Sequence, residues 1–462
     1  MNKIFFALFV TIVTAMPAMA ALGNTTGPWG VSAAAFKNLS TALASPATTG
    51  KTVVVEIPMT INSMTTDRAI EIKKGGSITV NSGQTLTING PFSAGVYQVF
   101  AGEGSVKLAS SAAPVRYPDW WGNGATAMQK AANSGLPYST LKASNVHIHL
   151  VGAYEWDTTL DFTSRNGLII TREPGSTVTY TGTGYAMDCT SLAYSKIQIN
   201  LSAPNAAVGV YLNRGITRPS AEYNDFSGSS ITVGTNPTAN NGRGSIAIYN
   251  CRAELFRADN ARLTADTPYY SEYTPVVGAY LQPIYETIQP SGAYDSMTVV
   301  TFNNTTFSTH GNYAPAMVLN NCLTVEAINC YWKMGSVVNG SNAYAIVTNN
   351  LFNSKFSGSV EVWPQFMHSL RVAQHIIANI SMQGEKLNTD GIFNGESVST
   401  DVGGFNYCDF NVLVTGTPTT GAILVKAARP ASYTSVKANR LVCRSGLTIL
   451  SVDVSSRLTA VV

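Results

Sequence analysis

The sequence predicts an all-β protein built as a parallel β-helix, and three observations carry that prediction. Short apolar-alternating runs bounded by Asn, Gly and Ser recur along the chain. Large apolar residues return at steps of 24–25 residues, and one stretch alone stands out as a helix candidate. A period of that size, with three short strands and no intervening helix, describes one coil of a solenoid.

The period is clearest after residue 300. Phe307, Trp332, Phe356, Ile380 and Phe405 follow one another at steps of 25, 24, 24 and 25. A second set of runs, SIAIYNC (245–251), PAMVLNNC (315–322) and YAIVTNN (344–350), alternates as strands do and carries Asn250, Asn321 and Asn350 near its end. Asn tolerates the left-handed backbone that a sharp corner demands and bonds readily to a neighbouring Asn. Asn250 and Asn321 are therefore expected in matching conformations, with Cys251 and Cys322 at equivalent turn positions. The six cysteines read as small buried residues, since no CxxC or Cys/His spacing suggests zinc. A β-sandwich also has short strands, but its strands lack a fixed period. Residues 203–228 and 264–296 break the rhythm and are expected as projecting loops.

The expected domain order follows. Lys3, the apolar run Ile4–Met16 and Ala18-Met19-Ala20 have the form of a signal peptide over residues 1–20, which implies a secreted, cell-surface or periplasmic protein. A virion protein with an apolar leader is the alternative. Residues 21–116 form an N-terminal β-rich region, whose runs KTVVVEI, RAIEI, GSITV, QTLTI and GSVKL are separated by tight turns at Gly75-Gly76, Ser82-Gly83 and Asn89-Gly90. Residues 117–405 form the β-helix and 406–462 its last coils or a β cap. Ala125 to Asn133 are good helix formers and Gly135 stands where a C-cap belongs, so a short helix is expected to cover one end of the coils.

Composition excludes other classes. Charged residues make up 12% of the chain and the formal net charge is +3, with no basic stripe to follow a nucleic-acid backbone. Hydrophobic content of 45% argues against disorder. After processing, no stretch is long and apolar enough for an integral membrane segment.

The run YPDWWG (117–122), then AMQKA (127–131), then VHIHLVGAYEWDTTLDF (146–162), resembles the opening of the pectate-lyase-like superfamily, which includes polygalacturonases and phage tailspike depolymerases. Its usual motif has Glu where Asp119 stands, and its Gly-Asp-rich stretch is reduced here to Asn123-Gly124. The likeness is clear over residues 51–190 and elsewhere rests on repeat texture. It implies a right-handed parallel β-helix, a polysaccharide partner, and a monomer or homotrimer.

Carboxylates and aromatics carry the candidate chemistry. Asn388-Thr389-Asp390-Gly391 matches the NTDG motif of polygalacturonase-like hydrolases, in which the Asp is catalytic, but the paired Asp, His-Gly and Arg-x-Lys that follow it there are missing. Glu361, Glu385 and Asp409 lie 24 residues apart, and a strict 24-residue coil would stack them as a column of acids. Such a column raises a pKa or demands a cation, so Ca2+ is the one ion worth testing, and no cofactor is otherwise expected. The 264–296 segment holds Tyr269, Tyr270, Tyr273, Tyr280 and Tyr285, suited to sugar faces, with Glu272 and Glu286 as an acid pair. The expected function is an exported polysaccharide-binding β-helix, cleaving as a glycoside hydrolase or polysaccharide lyase if it is an enzyme. The alternative is a non-catalytic adhesin or tailspike-like receptor-binding protein.

Overall fold

The computed structural model describes residues 29–137, 145–213, 223–234, 245–251, 255–265, 277–278, 299–309, 315–319, 322–333, 344–361, 365–383, 393–395, 404–415, 423–427, 434–441, 448–452 and 458–461. The chain divides into two units, Met1–Ala113 and Pro114–Val462.

In the first unit, strands of two to four residues alternate buried and exposed side chains, with Val53, Val55, Ile70, Ile78, Leu86 and Ile88 inside. They form one four-stranded and two three-stranded sheets in which every pairing is parallel. The tight turns therefore do not close hairpins. Each hands the chain to a different sheet, and a strand meets its partner only one coil later. At Gly76 a Cβ would lie 2.2 Å from the Val55 carbonyl oxygen, so glycine is what lets this turn lie against the coil before it.

The second unit is a larger parallel β-helix. Two successive strand positions of each coil merge into an 18-stranded sheet, and the third builds a 12-stranded sheet. Along the first position His147 pairs with Ile169, a step of 22, whereas Arg257 pairs with Thr301, a step of 44. The fixed 24–25-residue period is thus only local. Phe307 does pair with Trp332, and their rings stack with an interplanar angle of 10°. Trp332 then meets Val360, while Phe356 meets Ala327 and Ala378, and Phe405 pairs with Ala373 in the other sheet. Hydrogen bonds fix the register of paired strands and leave the chain length between rungs free.

Two further expectations change for the same reason. Ile248 pairs with Val277 and Val277 with Met317, a step of 69 in all, whereas Cys251 and Cys322 are 71 apart; Asn321 lies outside the described residues. Residues 203–228 are not simply a loop, because Val208–Asn213 is a strand of the 12-stranded sheet. Cys189, Cys322, Cys330 and Cys408 are buried, as small core residues should be. Burial pushes the Cys330 thiol up to about 12.

The helix Gly124–Asn133 covers the first coil with Met128, Ala131 and Ala132 in the core, and its C-cap is Ser134 rather than Gly135. Arg165, fully buried, clamps it there: its guanidinium donates to the Ala132 carbonyl at 2.7 Å and to Asn133 Oδ1 at 2.5 Å. Tyr154 donates to Asp119 at 2.6 Å, tying the GAY turn to the PDWWG run. Inside the corners, buried hydroxyls answer backbone groups that the strands leave over. Leu168 N–H donates to Ser195, Ile199 N–H to Ser229, Ala261 N–H to Thr305 and Val325 N–H to Ser354. Outside, Asn260, Asn304 and Asn329 take positive φ, and Asn304 donates to Asn260 Oδ1 at 3.3 Å. Among the described residues no helix is long and apolar enough to cross a membrane.

Candidate site on the corner column and its cleft

The first strand position of each coil begins at a corner, and the residues there form an outward column. Ser195 pairs with Asn224 and Asn224 with Phe256, so the preceding residues Tyr194, Tyr223 and Leu255 stand in line. Leu255 pairs with Val299 and Val299 with Thr324; the same register carries the column on through Asn353, His375 and Tyr407. Tyr194 is 61% exposed, Tyr223 38%, Leu255 40% and Tyr407 48%. The His375 and Tyr407 rings stack at 5.2 Å.

Four members of this column have left-handed backbones: Tyr194 at φ 47°, Asn353 at 45°, His375 at 56° and Tyr407 at 52°. The conformation costs an ordinary L-residue roughly 1–2 kcal/mol and is eased for Asn, whose short polar side chain bonds locally. Asn353 is the expected solution at such a corner; Tyr194 and Tyr407 are not. Their rings are turned to solvent, so core packing does not repay the strain. Strain of this kind is a pointer to function.

Beside Tyr223 lies a cleft of about 270 Å3, lined by Tyr223, Leu255, Phe256, Arg257, Val299 and Thr301. Arg257 is held in place from below. Its Nε donates to Asp259 Oδ2 at 2.7 Å, and its terminal nitrogen approaches the same oxygen at 2.5 Å. The bond to Asp259 first, and one to the Tyr223 hydroxyl second, hold the guanidinium pKa above its ordinary value. Asp259 is buried, and its Oδ1 accepts the Asn303 N–H at 2.8 Å. One edge of the Arg257 fork is thus spent on Asp259, and the guanidinium, which lines the cleft, also bonds the Tyr223 hydroxyl.

Arg257 belongs to a polar ladder on the outer face of the sheet. Lys196 pairs with Asp225, Asp225 with Arg257, Arg257 with Thr301, Thr301 with Glu326, and Glu326 with Lys355. Opposite charges therefore fall on neighbouring rungs, the arrangement that stabilises cross-strand pairs.

Asp390, Glu385, Glu272, Glu286, Tyr269, Tyr270, Tyr273, Tyr280 and Tyr285 fall outside the described residues. Glu361 ends the strand Lys355–Glu361, opposite Lys333, and Asp409 is exposed and pairs with Ile377. Glu361 and Asp409 do not share a column. Ile377 pairs with Lys355 and with Asp409, steps of 22 and 32, so a common spacing of 24 does not bring them into line. Among the described residues no group of three or more His, Cys, Asp and Glu could hold a metal ion. His147 and His149 do share one side, both within 2.8 Å of the Thr171 hydroxyl, as two residues of a strand alternation should. Tyr194, Tyr223 and Arg257 were not singled out, although the Asn residues at neighbouring corners could have marked the column.

No protein-family model matches the chain, and no curated protein is significantly similar to it.

Proposed function

We propose that this chain is an exported parallel β-helix, akin to the pectate-lyase-like superfamily, that binds a polysaccharide along its corner column. The observation that carries the reading is the exposure of Tyr194 and Tyr407 on left-handed backbone, in line with the Tyr223–Arg257 cleft. A tyrosine ring offers an apolar face to sugar C–H groups while its hydroxyl stays hydrogen-bonded or wet. A repeating polymer suits a column that repeats along the coils. The signal-like segment and the likeness of residues 117–162 to that superfamily add to the case.

One observation favours binding without cleavage, the role of an adhesin or receptor-binding protein. Asp259, the carboxylate nearest the cleft residues, has one oxygen occupied by the Asn303 N–H and the other by Arg257, so it is placed to hold a neighbour rather than to move a proton. The test is retention of the protein on immobilised polysaccharides, with reducing ends and unsaturated uronides assayed in parallel. Replacing Tyr194 and Tyr223 together by Ala should abolish retention and leave melting unchanged. Retention that survives the double substitution refutes the site.

A further inference from the structure

The chemistry of the cleft narrows the class of polysaccharide, an inference that rests on the binding reading above. Around Arg257 the outer face carries Lys196, Arg257 and Lys355 against Asp225, Asp259 and Glu326, three cations and three anions within successive rungs. Each cation has an anion beside it on the ladder or, for Arg257, in direct contact at 2.5 Å. An acidic polymer would find no positive field here. It would also meet Asp225 and Glu326 on either side of the Arg257–Thr301 step.

What the cleft does offer is directional. Asp259 orients the guanidinium through Nε and one terminal nitrogen, and the Tyr223 hydroxyl adds a further contact. The remaining N–H groups of a guanidinium are donors in a fixed plane and require acceptors. The Thr301 hydroxyl, on the next rung, gives and accepts. Tyr223 and Leu255 supply apolar walls, and the volume of about 270 Å3 is below the usual range for drug-sized ligands, near the scale of one sugar ring.

We infer that the cleft is a subsite for one uncharged pyranose unit of a neutral polysaccharide, its apolar face on Tyr223 and Leu255 and two adjacent ring hydroxyls accepting from the Arg257 N–H groups that Asp259 and Tyr223 leave over. Arg257 is then the residue that sets specificity. The local charge is cancelled before the ligand arrives, so binding is governed by hydrogen-bond geometry and not by field. Affinity should accordingly be indifferent to salt.

The experiment uses the full chain and a fixed set of probes: oligosaccharides from dextran, mannan and galactan as neutral glycans, oligogalacturonate as a carboxylated one, and heparin fragments as a sulfated one. Calorimetric titration is run from roughly 0.05 to 0.5 M salt, across which the screening length shrinks about threefold. The expected result is binding of at least one neutral probe with a salt-independent Kd. Arg257→Met and Tyr223→Ala should each weaken it about tenfold, the scale of losing one ordinary hydrogen bond or one ring contact. Tyr223→Ala removes no buried charge partner, so it keeps the test sharp if Arg257→Met destabilises the chain. Preference for the carboxylated or sulfated probe, with affinity falling as salt rises, overturns the neutral-sugar inference and leaves polysaccharide binding standing. Neutral binding unaffected by either substitution also overturns it. Absence of binding to every probe overturns both readings together.

Discussion

Replacing Tyr194 by Asn should make the protein more stable and a poorer binder at once. Tyr194 sits at φ 47° with its ring 61% exposed. Asn occupies the equivalent corner at position 353 with φ 45°, so the replacement is one the column already uses. Relief of part of the left-handed penalty gives about 0.5–1 kcal/mol. Little packing is lost with a ring so exposed, and the net gain should raise Tm by about 1–2 °C in a unit of this size. The same substitution at Tyr407 gives up the ring stacked on His375 at 5.2 Å, a contact of about 0.5–1.5 kcal/mol, so there the two effects should cancel. On the binding side, losing one sugar contact of about 1 kcal/mol should weaken Kd roughly fivefold. Scanning calorimetry of the parent and both variants, with retention on the polysaccharide that binds the parent, reads all four numbers. A fall in Tm for Tyr194→Asn would show that the ring packs and is not strained for function. A rise in Tm with binding intact would remove Tyr194 from the site.

Four further outcomes follow from the packing. Gly358 has φ 144° and a Cβ there would stand 1.9 Å from the Cys330 carbonyl oxygen, so Gly358→Ala should cost about 3 kcal/mol or more in thermal stability. Gly175→Ala, where a Cβ meets nothing within 4 Å, should be close to neutral by the same measurement. Arg165→Met should loosen the cap by about 1–3 kcal/mol, since it strands the buried Ala132 carbonyl, and limited proteolysis should then cut first near the helix Gly124–Asn133. Burial, and then the neighbouring His149, hold His147 below the ordinary histidine value. Its unfolded form therefore binds a proton more readily, and stability that is full above about pH 6.5 should decline as pH falls from there toward the lowered folded value. His147→Gln should flatten that slope in a series of denaturant titrations.

The strands, the capping helix and the buried cysteines were legible in the sequence because each has a local signature: alternation over four residues, a run of helix formers from Ala125 to Asn133, a small apolar residue after a turn signal. Coil length has none. Rungs pair at steps from 17 to 44 residues, and a spacing of 24 read along the chain does not put Glu361 and Asp409 in one column once Asp409 is found opposite Ile377. The corner column was hidden for a related reason. Its members, Tyr194, Tyr223, Leu255 and Val299, are brought together by steps of 29, 32 and 44, and single tyrosines at such intervals carry no periodic signal. Arg257 ends its strand and Asp259 stands two residues beyond it, a pair that forms no motif in the sequence.

The hydroxyls sealed inside the corners have a consequence for exchange with solvent. In most proteins the amides at turns trade their hydrogens for deuterium first, because nothing but water holds them. Here the amides of Leu168, Ile199 and Ala261 are answered by Ser195, Ser229 and Thr305, all buried. A deuterium-labelling time course should accordingly show these bends among the late exchangers, keeping pace with the strands they join. The bends would then report opening of the coils themselves, since no smaller fluctuation uncovers a hydroxyl that lies within the stack.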